Sequence, residues 1–197
     1  MAKMIEVKVD DRKLKQVYRD LKKVPRDMGK LMYRAIDKTA KNSRKQIVDR
    51  IANEIALKKK DIRDSIHYDK PSYTRWSARL DVYTNRIPLI KFGAKQTKKG
   101  VSYRIEKSGG REKIKSAFIT EMPIRGKKQT KRHEGVFKRT GKERLPIREL
   151  LGPSLGHVFE NAGNIAEQVQ SDTNKRLVKN IDAQLAMILE RRRRSAA

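Results

Sequence analysis

The chain has no cysteine, so it has no disulfide, no thiolate nucleophile and no cysteine zinc site. Histidine is nearly absent too, at three residues, His67, His133 and His157. Aromatic residues make up only 6% of the 197, and the two best placed for base stacking, Trp76 and Tyr103, fall on the apolar faces of expected strands. That disfavours modules that read bases by stacking. No apolar run approaches the roughly 18 residues of a membrane span, and Met1 to Val9 lacks the apolar core of a signal peptide, so synthesis in a cytoplasm and no membrane partner are expected. Hydrophobic residues at 37% are few for a compact globule, which favours an elongated or oligomerising shape over a deep-pocketed enzyme.

Acidic residues are the other shortage: 23 Asp and Glu face 50 Lys and Arg, a formal net charge of +27. The excess is uneven, at +11 over residues 1–60, +1 over 61–90, +13 over 91–144 and +2 over 145–197. Two basic blocks therefore flank a nearly neutral stretch. Cations on phosphates release counterions and give affinity that ignores sequence and falls steeply with salt, so a nucleic-acid backbone or another acidic surface is the implied partner. Basic helix faces that are merely solvated, or mated with acidic neighbours in an assembly, are the plainer reading of the same residues.

Periodicity supplies the elements. Ile5, Val7 and Val9 alternate with Glu6 and Lys8 and predict a strand over Met4–Val9, followed by Asp10 and Asp11 as caps of a helix ending near Val24. Pro25 disfavours helix at the residue before it and suits the first turn of a new one. From Met28 to Ile55 apolar residues recur every three or four positions, a helix of about 30 residues, and a short third helix through Ile66 follows. After Pro71 the period becomes two: Trp76, Ala78, Leu80 and Val82 predict a strand, as do Val101, Tyr103 and Ile105. Short pieces at Ala117–Ile119 and Val136–Phe137 complete a small antiparallel sheet of about five strands. Met122 to Gly135, with Arg125, Lys127, Lys128, Lys131 and Arg132, reads as an exposed anion-facing loop or hairpin tip. From Pro153 a second long helix of about 35 residues is expected, with Gly156 and Gly163 as sites of a bend. The fold expected is α+β, a small antiparallel sheet packed with long N-terminal and C-terminal helices. It forms a single unit over 1–197, mainly helical over 1–70, β-rich and basic over 71–152, and helical over 153–197.

Catalytic patterns are weak. No phosphate loop is present, and Gly109 and Gly110 read as a hairpin turn. His133 beside Glu134 lacks the second histidine a zinc hydrolase needs. Asp61 with Asp64, or Asp10 with Asp11, could bind Mg2+ in a nuclease, though helix capping and surface charge explain them as well. No catalytic residue, cofactor or metal is assigned.

Four pieces stand in order: IPLIKFG at Ile87 to Gly93, AFI at Ala117 to Ile119, GVFKRTGKERLPI at Gly135 to Ile147, and GPS at Gly152 to Ser154. Together they resemble the minor tail protein Z, or tail completion, family of lambda-like tailed phages, over roughly residues 86–160. The motif positions are Pro88, Lys91, Gly93, Phe118, Gly141, Pro146, Gly152 and Pro153. The resemblance implies a non-enzymatic virion subunit at the head-proximal end of the tail or in the neck, helping to form the head-tail junction and DNA channel. It also implies a homo-oligomeric ring, a hexamer, in contact with other neck and tail proteins. On that reading Arg125, Lys127, Lys128, Lys131, Arg132, Lys138 and Arg139 face the DNA backbone or an acidic neighbour. The alternative is a free protein that binds nucleic acid without regard to sequence.

Overall fold

The computed structural model describes residues 3–20, 25–123, 132–161 and 164–196. The chain opens with β1 (Lys3–Lys8), α1 (Asp11–Asp20) and α2 (Pro25–Glu54). Then come α3 (Lys59–Asp64), β2 (Ile66–Asp69), β3 (Ser77–Val82) and β4 (Arg86–Pro88), with a single 3-10 turn at Leu89–Phe92. Five short strands lead on: β5 (Lys95–Thr97), β6 (Gly100–Tyr103), β7 (Glu112–Lys115), β8 (Ala117–Pro123) and β9 (Arg132–Arg139). The chain closes with β10 (Ile147–Glu149), β11 (Leu151–Ser154), α4 (Leu155–Asn161) and α5 (Ile165–Ala196).

The α+β class holds, and the sheets are small and antiparallel, but the expected single sheet of about five strands is replaced by four sheets. Their orders are β1-β3-β2, β10-β9-β8, β11-β4 and β5-β6-β7. The division has a local cause. Gly93 ends the 3-10 turn with φ 61, a left-handed conformation glycine adopts freely, and Ser116 with φ 61 separates β7 from β8. Strands of three or four residues between such turns cannot continue into one another's ladder. The C-terminal helix expected from Pro153, with a bend at Gly156 or Gly163, is two helices, α4 and α5, and its first residues, Pro153 and Ser154, belong to β11. Asn164, with φ 55, stands just before α5, and its carbonyl accepts the amide of Gln168.

Helices α2 and α5 are about 45 Å and about 48 Å long at 1.5 Å per residue. They run antiparallel: Arg50 bonds Asp172, Ser43 meets Thr173, and Asn180 reaches Thr39, so α5 descends as α2 rises. Their crossing is made by small hydroxyl residues, all fully buried: Thr39, Ser43 and Thr173. Above and below it lie two apolar clusters. One gathers Val7, Val17, Leu31, Met32, Ile36, Leu177 and Ile181. The other joins Ile47, Ile51, Ile62, Leu80, Phe92, Val136 and Phe159, so the second half of α2 is the wall against which the sheets pack. The β1 edge is covered rather than open, because Gln170 of α5 donates to the Glu6 carbonyl at 3.0 Å.

Candidate assembly and polyanion surface

The four recognisable sequence pieces converge into one β unit. Residues 87–93 put Phe92, fully buried, at the end of the 3-10 turn, and β4 before it pairs with β11 through Leu151↔Pro88 and Ser154↔Arg86. A Cβ on Gly152 would lie 2.5 Å from Phe92 Cε2, so the GPS piece is glycine where the Phe92 ring needs the space. AFI and GVF are opposite each other in β8 and β9, as Phe118↔Phe137 and Ile119↔Val136. The two halves are stitched by backbone bonds: Leu150 N donates to Val136 O at 2.8 Å, and Leu89 N donates to Leu150 O at 3.0 Å. Pro88 ends the edge strand β4, Pro153 sits in β11, and Pro146 comes just before β10 after a cis Leu145–Pro146 peptide bond. None of these prolines withholds a donor from a central strand. Gly141 lies in the exposed connection after β9, with open space where a Cβ would stand.

The basic positions divide by what they touch. Arg125, Lys127, Lys128 and Lys131 lie outside the described residues. Arg132 is not in a loop as expected but is the first residue of β9, across from Pro123, with its guanidinium 3.7 Å from Glu121 Oε2. His133, also expected in the loop, is the next strand residue, and its Nε2 lies 2.6 Å from Glu149 Oε1 on β10. Lys138 is half-buried in the central strand of its sheet. Arg139 is used internally: its guanidinium stands 5.6 Å over the Phe118 ring and donates to the Arg144 carbonyl at 2.5 Å, closing the turn after β9. Thr140 completes that closure by donating through both its amide and its hydroxyl to Pro146 O. Lys91 pairs with Asp61 at 2.8 Å, tying the 3-10 turn to α3. That carboxylate, weighed as a metal ligand from sequence, is thus part of a scaffold ion pair.

Tyr103 of β6 is buried and donates to Glu112, a bond that with desolvation pushes the phenol up to about 12. Tyr68 of β2 donates to Asp37 of α2 at 2.8 Å, and burial first, then this bond, raises its pKa. Both phenols are donors, Tyr103 joining neighbouring strands of one sheet and Tyr68 joining a sheet to α2. Trp76 lies before β3 rather than in it, and its Nε1 donates to the Tyr73 carbonyl at 2.9 Å. Among the described residues no group of three or more His, Asp or Glu is placed to hold a metal, and no helix is long and apolar enough to cross a membrane.

The sequence reading located the junctions of this β unit by their Pro and Gly, but missed which pieces meet. Gly152 against Phe92, and Leu150 between Val136 and Leu89, join segments up to some sixty residues apart and leave no local trace.

What the fold and surface define is a strongly cationic α+β subunit whose characteristic segments build a scaffold. The chain belongs to the prophage minor tail protein Z family, whose profile matches residues 12–191. It is therefore a phage tail structural protein with a virion location, in contact with other tail proteins. No curated protein matches the chain, and no solved structure does.

Proposed function

We propose that this chain is a tail completion subunit at the head-proximal end of the tail, one copy of a hexameric ring in the neck through which DNA passes. The observation that carries the reading is the family match over nearly the whole chain, residues 12–191. The net charge of +27 supports it, since a subunit lining a DNA path gains from cations that neutralise phosphates. Two helices of some 45 Å offer faces larger than one small core uses, as a ring subunit needs. In this reading the basic residues from Arg125 to Arg139 meet DNA or the acidic face of a neighbouring ring. Arg132 and Lys138 serve that surface directly, while Arg139 serves it by holding the turn.

Quantitative mass spectrometry of density-purified, nuclease-treated particles tests both parts. The expected result is a small fixed copy number, six, against the tail-tube protein. Particles carrying the chain with Lys127, Lys128, Lys131 and Arg132 reversed to Glu should lose infectivity or retention. Absence of the chain from particles overturns the neck reading, and full infectivity of the reversed chain overturns the assignment of the basic segment.

A further inference from the structure

Among the described residues a straight row of positive charge stands off the β unit, on α2. Lys30, Arg34, Lys38, Lys41 and Lys45 are all exposed on α2, and between residues 30 and 45 they are the only exposed positions. At 3.6 residues per turn these five fall within an arc of about 80° and along about 22 Å of axis, a single straight row. The residues beside it, Tyr33, Asp37, Asn42 and Arg44, are half-buried. The opposite side of α2 is filled by α5 and the sheets, and one turn past Lys45 the row's own face carries Val48, buried in the core. Lys41 is paired with Asp37 at 2.7 Å; among the described residues the other four make no ion pair or side-chain hydrogen bond.

We propose that this row on α2 is a rail for the phosphate backbone of duplex DNA, bound without regard to sequence. It deepens the DNA-channel reading above and rests on it for its setting. The composition decides between the two kinds of acidic partner. Protein interfaces are depleted of Lys, especially at their centres, and are anchored by apolar and aromatic side chains. The row has four Lys and one Arg, with no exposed apolar residue between them. Ammonium groups act as point charges toward phosphate and need no fixed geometry. One strand of a duplex presents a phosphate about every 3.4 Å of axis while winding around it, so a straight row of this length meets a few of them, about one for each unpaired cation. A rigid helix packed along its whole opposite side pre-orders the cations, so little backbone freedom is lost on binding.

The test is fluorescence anisotropy of a labelled random-sequence duplex titrated with the full chain at several NaCl concentrations. Three proteins are compared: the wild type, the row variant K30Q/R34Q/K38Q/K45Q, and a charge-matched control on α5, K175Q/R176Q/K179Q/R191Q. Gln keeps helix propensity, and circular dichroism with thermal melts checks folding. The slope of log K against log salt falls by about 0.9 per lost phosphate contact, so the row variant should lose about 3 to 4 of slope and the control under 1. Equal loss in both variants means diffuse attraction and overturns the rail, as does absence of duplex binding by the wild type. A row variant with wild-type slope that no longer enters particles identifies the row as a protein contact and also overturns it. Absence of the wild-type chain from purified particles would remove the neck reading while leaving the slope result intact.

Discussion

Asp49 on α2 and Lys59 on α3 meet at 2.6 Å, and the hydrogen bond from Lys59 is the main cause holding the Asp49 carboxyl below its usual range. Asp69 is lowered in the same way by Arg75, at 2.7 Å. A carboxyl with a depressed folded-state pKa contributes stability that is fully present above the unfolded value, about 3.9, and is lost as pH falls through the folded one. The double variant K59Q/R75Q should therefore show a shallower loss of melting temperature than the wild type between about pH 4 and about pH 2. Equal acid limbs would mean that exposure and solvent screening have cancelled both pairs. At this scale sequence was a poor guide. Asp61, which sequence allowed as a helix cap, surface charge or metal ligand, and Lys91, a motif position, are thirty residues apart, yet they form one ion pair. Arg139 read as a free cation, but the turn after β9 captures it.

At the scale of elements, the α2–α5 crossing depends on hydroxyls. Thr39 donates to Ala35 O and accepts from Asn180. Ser43 and Thr173 are 2.6 Å apart, and each also reaches a carbonyl of its own helix, Thr39 O and Val169 O. Two hydroxyl protons serve three contacts there, so one of the pair donates across the interface at any moment. Thr173→Val keeps the shape and removes the partner, leaving Ser43 facing a methyl group. It should destabilise by about 1–2 kcal/mol in urea unfolding. The double variant with Ser43→Ala should cost less than the sum of the two singles, whereas additivity within about 0.5 kcal/mol would show no coupling. Helices of this kind were legible in advance, because a 3.6-residue period is local: α2 at Pro25–Glu54 lies close to the expected Met28–Ile55. Sheets were not. Individual strands β1, β3 and β6 show as alternation, but alternation says nothing about partners, and so four sheets read as one.

For the whole molecule, +27 on 197 residues sets a repulsion that no local pair removes. At low ionic strength it acts across the protein, and at 0.1 M salt it is screened beyond about 10 Å. Ion pairs such as Arg50–Asp172 and Lys13–Asp182 are short-ranged and mostly half-buried, so they weaken less than the repulsion as salt rises. The melting temperature of the isolated chain should therefore increase between 10 mM and 300 mM NaCl. A relief of about 1 kcal/mol corresponds to roughly 2–4 °C at this size. A fall instead would place the balance with the attractive pairs. The same charge makes free copies of the chain repel one another at low ionic strength.

Sequence by itself determined the charge, the absence of cysteine chemistry, the amphipathic helices and the α+β class, because composition is additive and helical period is set by neighbours three or four residues away. The order of the four motif pieces, read on one line, was also enough to indicate the family. Only the tertiary structure decided that those pieces form one stitched β unit, that Gly152 makes room for Phe92, and that α2 and α5 run antiparallel through buried hydroxyls. It also decided which cations are committed and which are free. Arg139 and Lys91 are held by the fold, as Lys41 is by Asp37, while Lys30, Arg34, Lys38 and Lys45 stand open to solvent. The physical reason is one of distance along the chain. Strand pairing and ion pairing join residues tens of positions apart, and no local periodicity records what a side chain will meet once the chain has closed on itself.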